Sequence, residues 1–170
     1  MLPMNQEAIS CRTAEFSRLA SEILARGNVL RFRAHGGSMY PFVRDGDVVE
    51  VKPVEAAAVG LGDVVLCGYG EDRLVVHRVI GVNRENGRFV LGIKGDSARH
   101  RDRPIYPEQV LGQVIALERG GRKVPLDGGL PRLASRLWAR LSPFSPQLYR
   151  LPRMIRYAAR KVADHAPMLY

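Results

Sequence analysis

The chain has 170 residues and two cysteines, Cys11 and Cys67, set far apart in segments of different character. Two widely spaced thiols make neither a disulfide framework nor a zinc site. They read as free thiols in a reducing compartment. No run of about 18–20 uninterrupted apolar residues exists, which excludes a transmembrane helix. The start, Met1 to Ala8, lacks a basic segment followed by an apolar core, so no secretory signal is expected. The expected location is cytoplasmic, or peripheral at a membrane surface. Aromatic residues are 7% of the chain and show no stacking pattern, which argues against nucleic acid as a partner. The four histidines (His35, His77, His100, His165) have no ligand spacing, so neither a metal nor another cofactor is expected. Gly60-Leu61-Gly62 is not followed by a phosphate-loop lysine, which removes nucleotide binding. No internal repeat or low-complexity tract is present.

What remains divides the chain into three parts. Residues 6–26 carry Ile9, Phe16, Leu19, Ala20, Ile23 and Leu24 at helical spacing, and Gly27-Asn28 is a plausible stop. With this helix, residues 1–28 form the first part. One helix is too short for a helix-turn-helix DNA-binding unit. Residues 29–118 read as short strands: Val29–Arg33, Asp47–Pro53, Asp63–Cys67, Arg73–Val82, Arg88–Ile93 and Val110–Glu118. Asn86-Gly87 between two of them signals a hairpin. The pattern predicts a mainly β fold, a barrel or sandwich. Residues 119–170 open with Gly120-Gly121 and Asp127-Gly128-Gly129, read as a linker. From Leu130 onward eight arginines and lysines face a single acid, Asp164, so most of the net charge of +9 lies there. Leu133, Leu137, Trp138 and Leu141 are assigned to one helical face, and Leu148, Leu151, Ile155 and Val162 to a second stripe. Basic amphipathic helices fit an anionic membrane surface. A helical hairpin packed on the β-rich part fits equally well.

The chemistry concentrates in the middle part. In Gly36-Gly37-Ser38-Met39-Tyr40-Pro41 a serine follows a glycine pair, which permits positive φ, and precedes a proline that fixes the chain. Such a turn exposes a hydroxyl beside free backbone N–H groups, the arrangement a nucleophilic serine needs. His77 lies inside the apolar run Leu74–Ile80, and the carboxylates Asp96 and Asp102 follow. Serine, histidine and carboxylate triads occur in different chain orders on unrelated folds. Asp45 and Asp47 sit on a turn before a strand and read as structural. His35, on the serine's own turn, reads as a strand-end residue.

The series Gly37-Ser38-Met39-Tyr40-Pro41, Asp45-Gly46-Asp47-Val48-Val49, Gly62-Asp63-Val64-Val65, Val76-His77-Arg78-Val79, Lys94-Gly95-Asp96 and Val110-Leu111-Gly112-Gln113-Val114 resembles the type I signal peptidase family. That family shares its catalytic fold with the self-cleaving domains of SOS-type repressors. The resemblance covers roughly residues 29–118. It implies a coiled, barrel-like β-fold, here with an N-terminal helix and basic C-terminal helices. It also implies a serine endopeptidase acting on a peptide or protein precursor. His77 stands where the bacterial type has lysine, so the chain is similar to the archaeal and endoplasmic-reticulum type, without a transmembrane anchor.

On that resemblance Ser38 is the nucleophile and His77 the general base. Asp96 is the favoured partner of the imidazole, with Asp102 nearby. Gly37, Met39 and Pro41 flank the serine as substrate-binding positions. A hydroxyl two residues before the serine assists the bacterial type; here Gly36 stands there, so the oxyanion falls to backbone N–H groups. A histidine base suits neutral pH, since imidazole titrates near ~6.5 when unperturbed. Two other readings keep the fold and change the function: a catalytically silent peptide-binding module, and a self-cleaving regulator.

Overall fold

The computed structural model describes residues 13–69 and 73–141. Cys11, Ile9, His165 and the second apolar stripe around Leu148–Val162 lie outside the described residues.

Helix α1 spans Thr13–Ala25. It ends in a Schellman arrangement: Asn28 N–H donates to the Ile23 carbonyl at 3.2 Å and Gly27 N–H to that of Leu24 at 3.0 Å. Ala20 and Leu24 are buried on its inner face, and Phe16 meets Phe32 edge-on at 5.1 Å between ring centroids.

Six strands follow: β1 (Leu30–Arg33), β2 (Val48–Lys52), β3 (Val64–Gly68), β4 (Leu74–Glu85), β5 (Arg88–Lys94) and β6 (Val110–Arg119). Each falls within three residues of its predicted bounds. Asn86-Gly87 turns β4 into β5, with φ of 51° and 79°. A seventh strand, β7 (Arg122–Pro125), occupies the segment expected to be linker, and Gly120-Gly121 is its two-residue hairpin turn from β6. The strand escapes a sequence reading because all four of its residues are exposed and no apolar alternation marks it.

The seven strands form one antiparallel sheet in the order β1-β2-β6-β3-β4-β5, with β7 on β6. The fold is mainly β, as expected. The sheet does not close: β1 and β5 end the path and do not pair with each other. Side chains of β3 alternate between two cores. Val64 and Leu66 join α1, β1, β2 and β6, whereas Val65 and Cys67 join Val79, Leu91, Ile93 and Ile105. A central strand apolar on both faces explains the unbroken run Val64–Cys67. Cys67 is a free buried thiol, pushed up to about 12 by burial and by the Asp102 charge, and is chemically quiet.

A last helix, α2 (Gly129–Leu141), folds back on the sheet. Its approach depends on Gly62, which has φ of +92° and lies under the helix backbone. A Cβ there would meet Arg136 Cα and N at 2.8 Å. Among the described residues no helix is long and apolar enough to cross a membrane.

The serine turn is braced by Asp47, which is buried. It accepts from Arg44 N–H at 2.8 Å and from Arg119 Nε and Nη2 at 2.9 and 2.6 Å. Burial alone would raise its pKa, but the Arg119 and Arg44 contacts prevail and hold it below the usual 3.8. A carboxylate depressed in the folded state stabilises the fold above its unfolded pKa and loses that contribution as pH falls through the folded value. Asp47→Asn should therefore unfold at lower urea than wild type at neutral pH. The gap should close as pH falls below about 3.8; a gap constant across that range would contradict the assignment.

Candidate active site

Ser38 is exposed on the turn between β1 and β2. Gly36 N–H donates to Asp45 Oδ1 at 2.9 Å, and Gly36 has φ of +94°. Met39 anchors the turn from the other side: its side chain is buried in the core with Val43. Met39, a substrate-binding position by the resemblance, is thus buried beneath the turn. Gly37 is exposed, and its carbonyl accepts from Ser97 Oγ at 2.7 Å. Pro41 is half-buried and follows a cis peptide bond. The Ser38 backbone N–H donates to no other described residue, which leaves it available to an incoming oxygen.

His77 is buried on β4, opposite Val65 of β3. Its Nε2 lies 3.2 Å from Ser38 Oγ, and its Nδ1 makes a short hydrogen bond to Asp102 Oδ2. Serine, imidazole and carboxylate thus form one chain of contacts. A carboxylate on Nδ1 holds the ring in the tautomer whose Nε2 accepts the serine proton. Asp102 sits on a loop pinned at both ends. Its N–H donates to the Ile93 carbonyl at 3.1 Å, and Ile105 exchanges hydrogen bonds with Leu91 at 2.8 and 2.9 Å. Burial and the Asp102 charge push the nearby Tyr69 phenol up to about 12, and its hydroxyl donates to the Arg103 carbonyl at 2.9 Å.

Asp96, expected to orient the imidazole, has a different partner. It takes a bidentate pair from Arg78 Nε and Nη2, both at 2.7 Å, and Trp138 Nε1 donates to its Oδ1 at 3.1 Å. The reason is strand alternation: successive β residues point to opposite faces. His77 and Arg78 therefore address different partners. The Arg78 and Asp96 side chains are 2% and 1% exposed. Arg78 also donates to the Gly62 carbonyl at 3.0 Å and to Ser135 Oγ, and stacks 4.7 Å from the Phe42 ring centroid. Trp138 tilts against Phe42 at 5.1 Å. Trp138 thus belongs to the inward face of α2 and not to the leucine face expected from spacing.

Two further residues shape the site and were not singled out for it in the sequence. A Cβ on Gly95 would stand 2.8 Å from the Ser38 carbonyl oxygen, 3.1 Å from Ser38 Cβ and 3.2 Å from His77 Nε2. Only glycine lets the chain leaving β5 pass this close to the serine–histidine contact. Ser97 returns the chain to the serine turn: its N–H donates to the Ser38 carbonyl at 2.9 Å and its Oγ lies 3.0 Å from the same oxygen. The motif Lys94-Gly95-Asp96 contains the first and is followed directly by the second, but its spacing alone does not reveal a close approach. Lys94 is buried beside them, and burial lowers its pKa against the opposing pull of Asp96 and Asp102. His35 is exposed, 3.7 Å from Asp45, and takes no part. No group of metal-ligating side chains occurs among the described residues.

Comparison of the chain with protein-family models, with curated proteins and with solved structures gives no match. The family resemblance therefore rests on the motif series alone.

The two aspartates should separate in experiment. Asp96→Ala strands a buried guanidinium and should cost about 3–5 kcal/mol of stability, read as a large fall in melting temperature. Asp102→Asn should leave the melting temperature near that of wild type. Gly95→Ala should part Ser38 from His77 and strongly slow labelling of Ser38 by a fluorophosphonate. Labelling at the wild-type rate would show that the segment after β5 yields to the added methyl.

Proposed function

We propose that the chain is a serine endopeptidase of the signal peptidase type, acting on a peptide or protein precursor. The observation that carries this reading is the contact chain Ser38–His77–Asp102. Ser38 Oγ attacks the scissile carbonyl carbon and forms a C–O bond while His77 Nε2 takes the hydroxyl proton. The carbonyl π electrons move to oxygen, where the Ser38 N–H offers a donor. Asp102 stabilises the imidazolium. Collapse breaks the C–N bond, and His77 delivers its proton to the departing amine. Water then repeats the sequence on the acyl-enzyme. Asp96 contributes by holding Arg78 and hence the strand that carries His77. It does not contact the imidazole.

The mainly β sheet, with the serine on a turn at its edge, supports the coiled signal peptidase arrangement as the finer fold reading. An extended peptide lying beside the serine turn would gain affinity from backbone hydrogen bonds and selectivity from shallow pockets. The peptide-binding module and the self-cleaving regulator have no observation that favours them over this reading.

A fluorophosphonate should label Ser38, and Ser38→Ala and His77→Ala should abolish labelling without loss of fold. Asp102→Asn should slow labelling on the order of a thousandfold or more, the effect of losing the orienting carboxylate in such triads. The rate should rise with pH as one proton leaves and then level off. A rate still climbing above about pH 9 would indicate a lysine base and overturn the role of His77.

A further inference from the structure

Helix α2 has two faces of opposite character. Its inner face carries Ser135, Trp138 and Ala139, and meets Gly62, Arg78, Asp96 and Phe42. Its outer face carries Leu130, Leu133, Leu137 and Leu141, which are 81%, 55%, 54% and 50% exposed. The i, i+3, i+4 spacing stacks them in one stripe. Arg136 and Arg140 are exposed beside the stripe, and no salt bridge among the described residues uses either. The helix holds no acidic residue.

We propose that this outer face is a docking surface for an anionic lipid bilayer, and that the helix lies in the headgroup plane. The charge pattern selects this occupant. Four leucines match an acyl boundary, while arginine stems cover apolar surface and carry their guanidinium groups to lipid phosphates. The sequence that follows, with Arg150, Arg153, Arg156, Arg160 and Lys161 against Asp164, adds cations of the same sign. The inner face holds α2 against Phe42, four residues beyond Ser38, and against Asp96. A docked helix therefore tethers the sheet that carries Ser38 to the bilayer, and would hold it near membrane-attached or membrane-proximal peptides. The docking stands independently of the catalytic reading; only the substrate consequence rests on it.

The test uses the full chain and vesicles of phosphatidylcholine, pure or with about one-third phosphatidylglycerol. Wild type should co-sediment with the anionic vesicles, not with the neutral ones, and should be released by salt. The triple variant Leu133→Gln, Leu137→Gln, Leu141→Gln should partition at least about tenfold more weakly, as should Arg136→Gln with Arg140→Gln. Both variants should keep wild-type melting temperatures and fluorophosphonate labelling, since the leucines face away from the sheet and glutamine keeps the Cβ and Cγ with which Arg136 packs on Gly62. No vesicle binding at low salt overturns the proposal. Binding by the folded triple variant equal to wild type overturns it too, because the contact would then lie elsewhere. A wild-type dimer that the triple variant converts to monomer, without vesicle binding, would make the stripe a protein interface instead. Failure of labelling with intact vesicle binding would count against the catalytic reading alone.

Discussion

The buried ion pair between Arg78 and Asp96 organises the site. A charge removed from water is costly unless it is paired and its remaining donors are satisfied. Here both conditions hold. Asp96 takes two guanidinium bonds and the Trp138 indole N–H, while Arg78 also reaches the Gly62 carbonyl and Ser135 Oγ. Because the pair is satisfied only when β4, the end of β5, the Gly62 turn and α2 are all in place, it locks four segments together. His77 precedes Arg78 in the chain, and Gly95 and Ser97 flank Asp96. Fixing the pair therefore fixes the residues on either side of it, which are those that touch the serine turn.

That arrangement explains how three side chains from distant segments meet. Ser38 belongs to a turn held by Asp45 and Asp47, His77 to the interior of the sheet, and Asp102 to a loop pinned by Leu91 and Ile105. None of the three is positioned by its own local sequence alone. Ser38 stays exposed while His77 is buried, so the hydroxyl is open to solvent and the imidazole is largely shielded from it. Gly95 is the narrowest point: the backbone of the ion-pair segment passes within contact distance of both serine and histidine.

The same helix that completes the ion pair turns four leucines to solvent. These two features are linked by geometry. An α-helix that commits Ser135, Trp138 and Ala139 to one side has its remaining apolar stripe on the other. A stability role and a surface role are thus divided between opposite faces of a helix 13 residues long.

The sequence by itself determined the mainly β class, the bounds of six strands, the Asn86-Gly87 hairpin and the stop of α1. Each follows from local physics: residue alternation, β-branched runs and turn chemistry act within a few residues. It also marked Ser38, His77 and two aspartates as the residues to watch. The choice between Asp96 and Asp102 was decided only by the tertiary structure. Both lie in one loop region, and nothing local says which carboxylate is claimed first by a neighbouring guanidinium. The Arg78 side chain takes Asp96 because alternation along β4 sends it away from the imidazole. The same limit hid β7, whose exposed residues carry no apolar pattern, and the inward turn of Trp138, whose partners Phe42 and Asp96 are far away in sequence. Helical spacing tells which residues share a face; only packing tells which face meets the protein.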